Sequence, residues 1–213
     1  MDLSSSEIIG ILDRIGIVAF ALSGVEVGAR RRLDVFGLLV MGVITATGGG
    51  VMRDVLLGRL PLVLDKPDYM LVAVASSCFA IVLLWRNRSL PKPLLAVADA
   101  AGLGAFAAAG ALAALHTDLS VVAAILMAML TATGGGVLRD LLADRVPLVL
   151  RSEINATAAG VGGLCVWLFE PVSLGGAALL GVGVTAAMRV MGLAFDLHLP
   201  HPGTKQGKQK RLL

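Results

Sequence analysis

Two arginines, Arg53 and Arg139, stand inside long apolar runs. Each is followed by an aspartate, Asp54 or Asp140, and preceded by three glycines, Gly48-Gly49-Gly50 or Gly134-Gly135-Gly136. A charge at the centre of a bilayer costs at least about 2.5–3.5 kcal/mol on insertion scales, so it marks function by default. Each glycine costs roughly 1 kcal/mol against alanine in a helix interior, so three in a row predict a kinked or unwound segment. Backbone groups freed in lipid must be buried in protein or face a watery cavity. The carbonyls of Thr45, Ala46 and Thr47, and of Thr131, Ala132 and Thr133, would then end a first half-helix and suit a cation. The hydroxyls of Thr45, Thr47, Thr131 and Thr133 would add oxygen ligands. Second half-helices starting near Val51 and Val137 would offer positive ends to an anion or carboxylate. The competing expectation is that the glycines only let neighbouring helices approach closely.

Buried arginines need partners. The adjacent Asp54 and Asp140 project about 100° away around a helix, which makes them poor direct partners. Depth in the membrane suggests Asp13 with Arg53 and Asp99 with Arg139, leaving Asp54 and Asp140 to face water or a neighbouring subunit. Glu26 and Arg30 have the i,i+4 spacing of an ordinary helix-end pair. His116 is expected in a solvated loop. No HExxH and no Cys/His cluster is present, and Gly181-Val-Gly183 follows no strand, so catalysis and metal binding are not expected. Cys78 and Cys165 fall in apolar runs and read as small buried hydrophobes.

The elements that must position these groups follow from a duplication. Thr45–Leu64 and Thr131–Leu150 match at fifteen of twenty positions, at an offset of 86 residues. The same offset pairs Asp13 with Asp99, Gly16 with Gly102, Phe20 with Phe106 and Gly24 with Gly110. Of the 213 residues, 57% are hydrophobic and 15% charged, and mean hydropathy is +0.87. Soluble domains are about 45–50% apolar and about 25% charged, so the chain reads as an all-α polytopic membrane protein without a cleaved signal peptide.

Turn and charge clusters divide it into seven spans near 10–29, 35–58, 69–85, 94–114, 119–143, 153–169 and 173–192. With the N-terminus outside, thirteen Lys and Arg fall in cytoplasmic segments, Arg189 among them, and two in outside loops. The positive-inside rule therefore predicts N-out and C-in. A three-span unit repeated once must insert upside down the second time. The expected organisation is residues 1–88, an inverted copy over 89–172, a seventh helix over 173–199, and a basic disordered tail over 200–213, with helices two and five broken at the glycine triplets.

The motif GGGxxRDxLxxRxPLVL, present twice in a seven-span chain of this size, resembles the prokaryotic trimeric intracellular cation (TRIC) channels. The same repeat is known as a bacterial glycine transporter domain. The resemblance covers about residues 8–195. It implies a homotrimer in a bacterial or archaeal plasma membrane, with a pore in each protomer between kinked helices two and five. It implies permeation by potassium and sodium, no cofactor and no nucleic-acid partner, with the six glycines at the kinks and Arg53 and Arg139 at the constriction. The lysine-glutamate-valine segment associated with a phosphoinositide contact in animal members is missing. By the residues alone a cation channel, a secondary transporter for glycine or another small zwitterion, and a non-transporting scaffold all remain open; the resemblance favours the channel.

Overall fold

The structure, a computed structural model, describes residues 4–87, 91–117, 119–150 and 154–195. These form α1 (Ser5–Arg30), α2 (Val35–Leu56), a single-turn α3 (Leu62–Asp65), α4 (Pro67–Asn87), α5 (Lys92–Leu115), α6 (Val121–Leu142), α7 (Ile154–Phe169) and α8 (Leu174–Ala194). A 3₁₀ turn at Leu148–Leu150 follows α6 as α3 follows α2. Among the described residues, six helices are long and apolar enough to cross a membrane; α7, with 16 residues, is shorter. At 1.5 Å per residue it reaches about 24 Å against a hydrocarbon core of about 30 Å. The protein is a multi-pass helical membrane protein. The basic tail expected over 200–213 lies outside the described residues.

Local sequence explains where helices start. Ser4 and Glu7 form a capping box, the Ser4 hydroxyl accepting from the Glu7 amide and the Glu7 carboxylate from the Ser4 amide. Asp34 caps α2 through the Gly37 amide at 2.7 Å, and Ser120, at the equivalent place in the second repeat, caps α6 through Ala123 at 3.4 Å. The ends of α2 and α6 also match. Gly58 has φ +67° and its counterpart Asp144 φ +50°, and the Arg59 and Arg145 amides bond back to the Asp54 and Asp140 carbonyls at 2.8 and 2.9 Å. This left-handed cap turns each chain sharply out of its helix.

Alanine-rich α5 occupies the centre, packed against α1, α6, α7 and α8. Its small side chains let four helices close around it, as is usual where helices have no hydrophobic drive to associate in lipid. The halves pack reciprocally. A Cβ at Gly16 would strike Phe106, and one at Gly102 would strike Phe20; the two rings meet edge to face at 5.2 Å. Residue 16 facing 106 while 20 faces 102 makes α1 and α5 antiparallel and relates them by a two-fold axis. Outer helices turn apolar residues outward: α4 exposes Phe79, Val82 and Trp85. Cys78 on that helix is exposed and Cys165 partly so, where burial was expected, because the faces that carry them are not covered by protein. His116 is exposed and Glu26 pairs with Arg30 at 3.1 Å.

The glycine triplets do not unwind their helices: α2 and α6 run through them as unbroken α-helix. The reason is packing. A Cβ at Gly49 would land on the Thr131 carbonyl oxygen, and one at Gly135 on that of Thr45. A Cβ at Gly134 would lie 3.3 Å from the Gly49 Cα, and one at Gly48 3.5 Å from the Gly135 Cα. Residue 49 facing 131 while 45 faces 135 is again an antiparallel two-fold crossing. Gly48, Gly49, Gly134 and Gly135 bring two backbones together, while a Cβ at Gly50 or Gly136 would meet only the Arg53 or Arg139 guanidinium, at 3.9 and 3.8 Å.

Candidate functional site: two equivalent polar pockets across the helix crossing

Arg53 is 1% exposed and is held by two carboxylates. It donates to both oxygens of Asp13, at 2.8 and 3.0 Å, and from Nε to Asp54 at 2.9 Å. This bidentate, charge-assisted geometry is what allows a guanidinium to leave water. Asp54 is not the solvent- or subunit-facing group expected from the sequence. It is 3% exposed, because a long arginine side chain can fold back to its neighbour although the Cβ atoms diverge. Its second oxygen accepts the Leu62 amide at 3.0 Å, pinning the Pro61-Leu62 segment over the pocket.

The second repeat reuses this device with one change. Arg139 bonds Asp140 at 2.9 Å, and Asp140, 5% exposed, accepts the Leu148 amide at 2.9 Å. The expected pairing of Asp99 with Arg139 is absent. Asp99 accepts instead from Arg189 of α8 at 2.8 Å, and Arg139 reaches across to the Ser23 hydroxyl of α1 at 2.6 Å. The seventh helix has no counterpart in the repeat, so its arginine breaks the symmetry by taking the aspartate that Arg139 would otherwise hold. Arg189 therefore belongs to the buried charge network, 7% exposed, and not to the cytoplasmic segment in which the sequence count placed it.

These charges line two small cavities of about 20 and 30 Å³. All twelve residues lining the first have their counterparts, 86 positions away, lining the second. Asp13, Thr47, Gly50, Arg53, Asp54 and Tyr69 correspond to Asp99, Thr133, Gly136, Arg139, Asp140 and Asn155. Phe106 belongs to the first cavity and Phe20 to the second, so the phenylalanine pair and the glycine crossing form the wall between them. A wider recess of about 320 Å³, lined by Glu7, Arg14, Lys66 and Tyr69, adjoins the first. One of about 490 Å³, lined by Arg139, Asp140, Asp144 and Arg145, adjoins the second. The first recess shares Tyr69 with the first pocket, and the second shares Arg139, Asp140 and Leu148 with the second.

The threonine hydroxyls are not presented as a ring of ligands. Those of Thr45, Thr47 and Thr133 donate to carbonyls four residues earlier, at 2.6, 2.8 and 2.7 Å. Thr45 and Thr131 are fully buried, each against the glycine, Gly24 or Gly110, of the neighbouring helix. Continuous helices likewise keep their carbonyls in the hydrogen-bond ladder, so the half-helix ends anticipated for a cation are not formed. Thr47 and Thr133 do line the pockets. Sequence reasoning passed over Ser23, Asn155 and Arg189. Arg189 carried a usable signal, an arginine inside an apolar span, and Asn155 another, as the 86-residue partner of a tyrosine. Arg14 rests over the Tyr69 ring at 4.5 Å and pairs with Asp68.

Comparison with known proteins agrees with this duplicated design. The family model described as glycine transporter matches twice, over residues 10–85 and 96–171, again 86 residues apart. The inner membrane protein YadS of Escherichia coli, assigned to UPF0126, is 39% identical over 193 residues, 89% of this chain and 93% of its own length. The UPF0126 membrane protein YvgT of Bacillus subtilis is 40% identical over 202 residues, 90% of this chain and 95% of its own. A prokaryotic TRIC channel crystallised in 0.5 M KCl superposes with a TM-score of 0.82 at 34% identity, covering 91% of this chain and all of that one. The TRIC orthologue from Rhodobacter sphaeroides gives 0.81 at 34% identity over 89% of this chain and 98% of that one. The chain belongs to the family described as glycine transporter and shares the fold of the TRIC cation channels.

Proposed function

We propose that this protein is a homotrimeric channel for monovalent cations, chiefly potassium with sodium, and not an enzyme, with one pore in each protomer running along the crossing of α2 and α6. The observation that carries the reading is the pair of equivalent pockets, each lined by an arginine and two aspartates, that meet at the Phe20–Phe106 contact beside the close glycine crossing of α2 and α6. In this conformation the wall closes the path. Opening requires α2 and α6 to separate or the Phe20 and Phe106 rings to turn aside, and Arg53 and Arg139 stand on either side, each held by carboxylates that offset its charge.

On this reading the six long helices and the shorter α7 all span, residues 1–88 and 89–172 are inverted units, and residues 173–199 add the seventh helix. The N-terminus is outside. Removing Arg189 from the cytoplasmic count leaves twelve Lys and Arg against two, still a strong bias. Carriage of glycine is the weaker reading. Cavities of about 20 and 30 Å³ exceed the roughly 10–15 Å³ that one water needs, but leave little for an amino acid.

The deciding experiment is recording from purified protein in planar bilayers under a potassium gradient, with mass determination in mild detergent beside it. Discrete steps reversing near the potassium equilibrium potential, from a three-chain particle, are expected. Saturable uptake of labelled glycine without steps would overturn the channel, and a stable conducting monomer would overturn the trimer.

A further inference from the structure

We propose that the second-repeat pocket is a binding site for a single potassium-sized monovalent cation, with Asp99, Asn155 and Thr133 as its oxygen ligands, and that the equivalent first-repeat pocket is not. The inference rests on the cation-conducting reading and assigns it a particular residence site.

Asn155 is 8% exposed, and its Oδ1 is buried without a hydrogen-bond partner. Leaving a buried acceptor unsatisfied costs about 1–3 kcal/mol, so the oxygen calls for a donor or a cation. It lines the cavity of about 30 Å³ together with Asp99 and Thr133. Asp99 gives one oxygen, Oδ2, to Arg189 and remains a quarter exposed. Thr133 donates its proton to the Met129 carbonyl, so its oxygen can offer the pocket only lone pairs. Carboxylate, amide and hydroxyl oxygens are the ligand types that suit hard cations.

The first pocket differs at the positions that matter. Both oxygens of Asp13 are taken by Arg53. The counterpart of Asn155 is Tyr69, whose ring carries Arg14 on its face. Neither a free carboxylate oxygen nor a carbonyl oxygen remains there. By net charge alone the first pocket, with Asp13 and Asp54 against Arg53, would attract a cation more strongly; saturated ligands outweigh that charge.

In the second pocket Arg189 balances Asp99 and Arg139 balances Asp140. An anion would meet the bare Asn155 oxygen and a carboxylate. A cation meets free lone pairs in a field near zero, and so binds weakly, as conduction requires of a site that must also release its ion. Two guanidiniums in the network also argue against a divalent ion, because Arg189 and Arg139 already offset the carboxylates whose charge such an ion would need.

The test is thermal unfolding of the full-length protein in mild detergent, in potassium, rubidium, sodium or N-methyl-D-glucamine chloride at constant ionic strength, with planar-bilayer recording of the same preparations. Wild type is expected to show a saturable rise in Tm with potassium or rubidium over N-methyl-D-glucamine, lost in Asn155→Leu and Asn155→Tyr and weakened in Thr133→Val. A wild-type Tm indifferent to the cation means the pocket holds water only and overturns the site, while potassium steps in that preparation would leave the channel reading standing. A rise that survives in Asn155→Leu places the ion elsewhere and overturns the site too. A cation-specific rise with no steps upholds the site and sinks the channel. Should both Asn155 variants fail to fold, anomalous scattering from rubidium in wild-type crystals decides. A peak between Asp99 and Asn155 is expected, and a clear map there refutes the site.

Discussion

Replacing adjacent glycines of one triplet by alanine should have opposite effects. A methyl on Gly49 would fall on the Thr131 carbonyl oxygen, well inside 3.0 Å, and that atom is backbone and cannot rotate away. The helices must then part by roughly 1 Å, and a gap of about 0.5–1 Å already forfeits a quarter to a half of each dispersion contact along the crossing. Overpacking of this kind costs about 1–3 kcal/mol; the gain in helix propensity is about 1 kcal/mol. Gly49→Ala should thus lose up to about 2 kcal/mol net. A methyl on Gly50 meets only the Arg53 guanidinium, at 3.9 Å, so Gly50→Ala keeps the propensity gain of about 1 kcal/mol. For a protein of this size 1 kcal/mol moves Tm by about 2–4 °C, so several degrees should separate the two variants. Gly49→Ala with Gly135→Ala should cost less than the sum, because helices already parted by one methyl accommodate the second. The assay is thermal unfolding of the purified variants in one detergent. A Gly49→Ala protein as stable as Gly50→Ala would falsify the close backbone crossing, and with it the wall assigned to the glycines.

Asp13→Asn should cost about 3–5 kcal/mol, because it strands the buried Arg53 charge; a double-mutant cycle with Arg53→Gln should recover part of that. In the second repeat the cycle should show coupling of Asp99 with Arg189 and little of Asp99 with Arg139, and the reverse pattern would mean that the seventh helix does not take the aspartate. At the helix caps, Gly58→Ala should lower stability by about 1 kcal/mol and Asp144→Gly raise it by a similar amount, since only glycine occupies the left-handed region without strain; equal Tm values for all three proteins would refute the shared cap. A membrane-impermeant thiol reagent applied to intact cells, with the native cysteines replaced, should label a cysteine placed at Thr117 and spare one at Ser89, and the opposite labelling would invert the orientation.

Much of this was legible in one dimension. Hydropathy marks the helices, since a chain in lipid must satisfy its backbone internally and helices are the simple way to do so. The 86-residue offset discloses the duplication, and placing Asp13 and Arg53 at one depth on neighbouring spans anticipates that they meet. Depth fails for Asp99 and Arg139. They share a level, but a third helix supplies Arg189 at that level too, and a sequence does not say which of two cations is nearer.

The glycine triplets show the same limit from the backbone side. Propensity is a property of an isolated helix and predicts weakness at Gly48-Gly49-Gly50. Whether the weakness becomes a break depends on what lies opposite, and here a second glycine helix lies close enough to hold the first in regular α-helix. Asp54 and Asp140 looked poorly placed on an ideal helical wheel. The tertiary structure gives them two partners each, an arginine that folds back and a loop amide eight residues on. What the sequence determined by itself was the periodicity, charge and duplication that belong to the chain; which buried groups pair, which glycines pack and which face a cavity was decided only where helices distant in sequence come within a few ångströms.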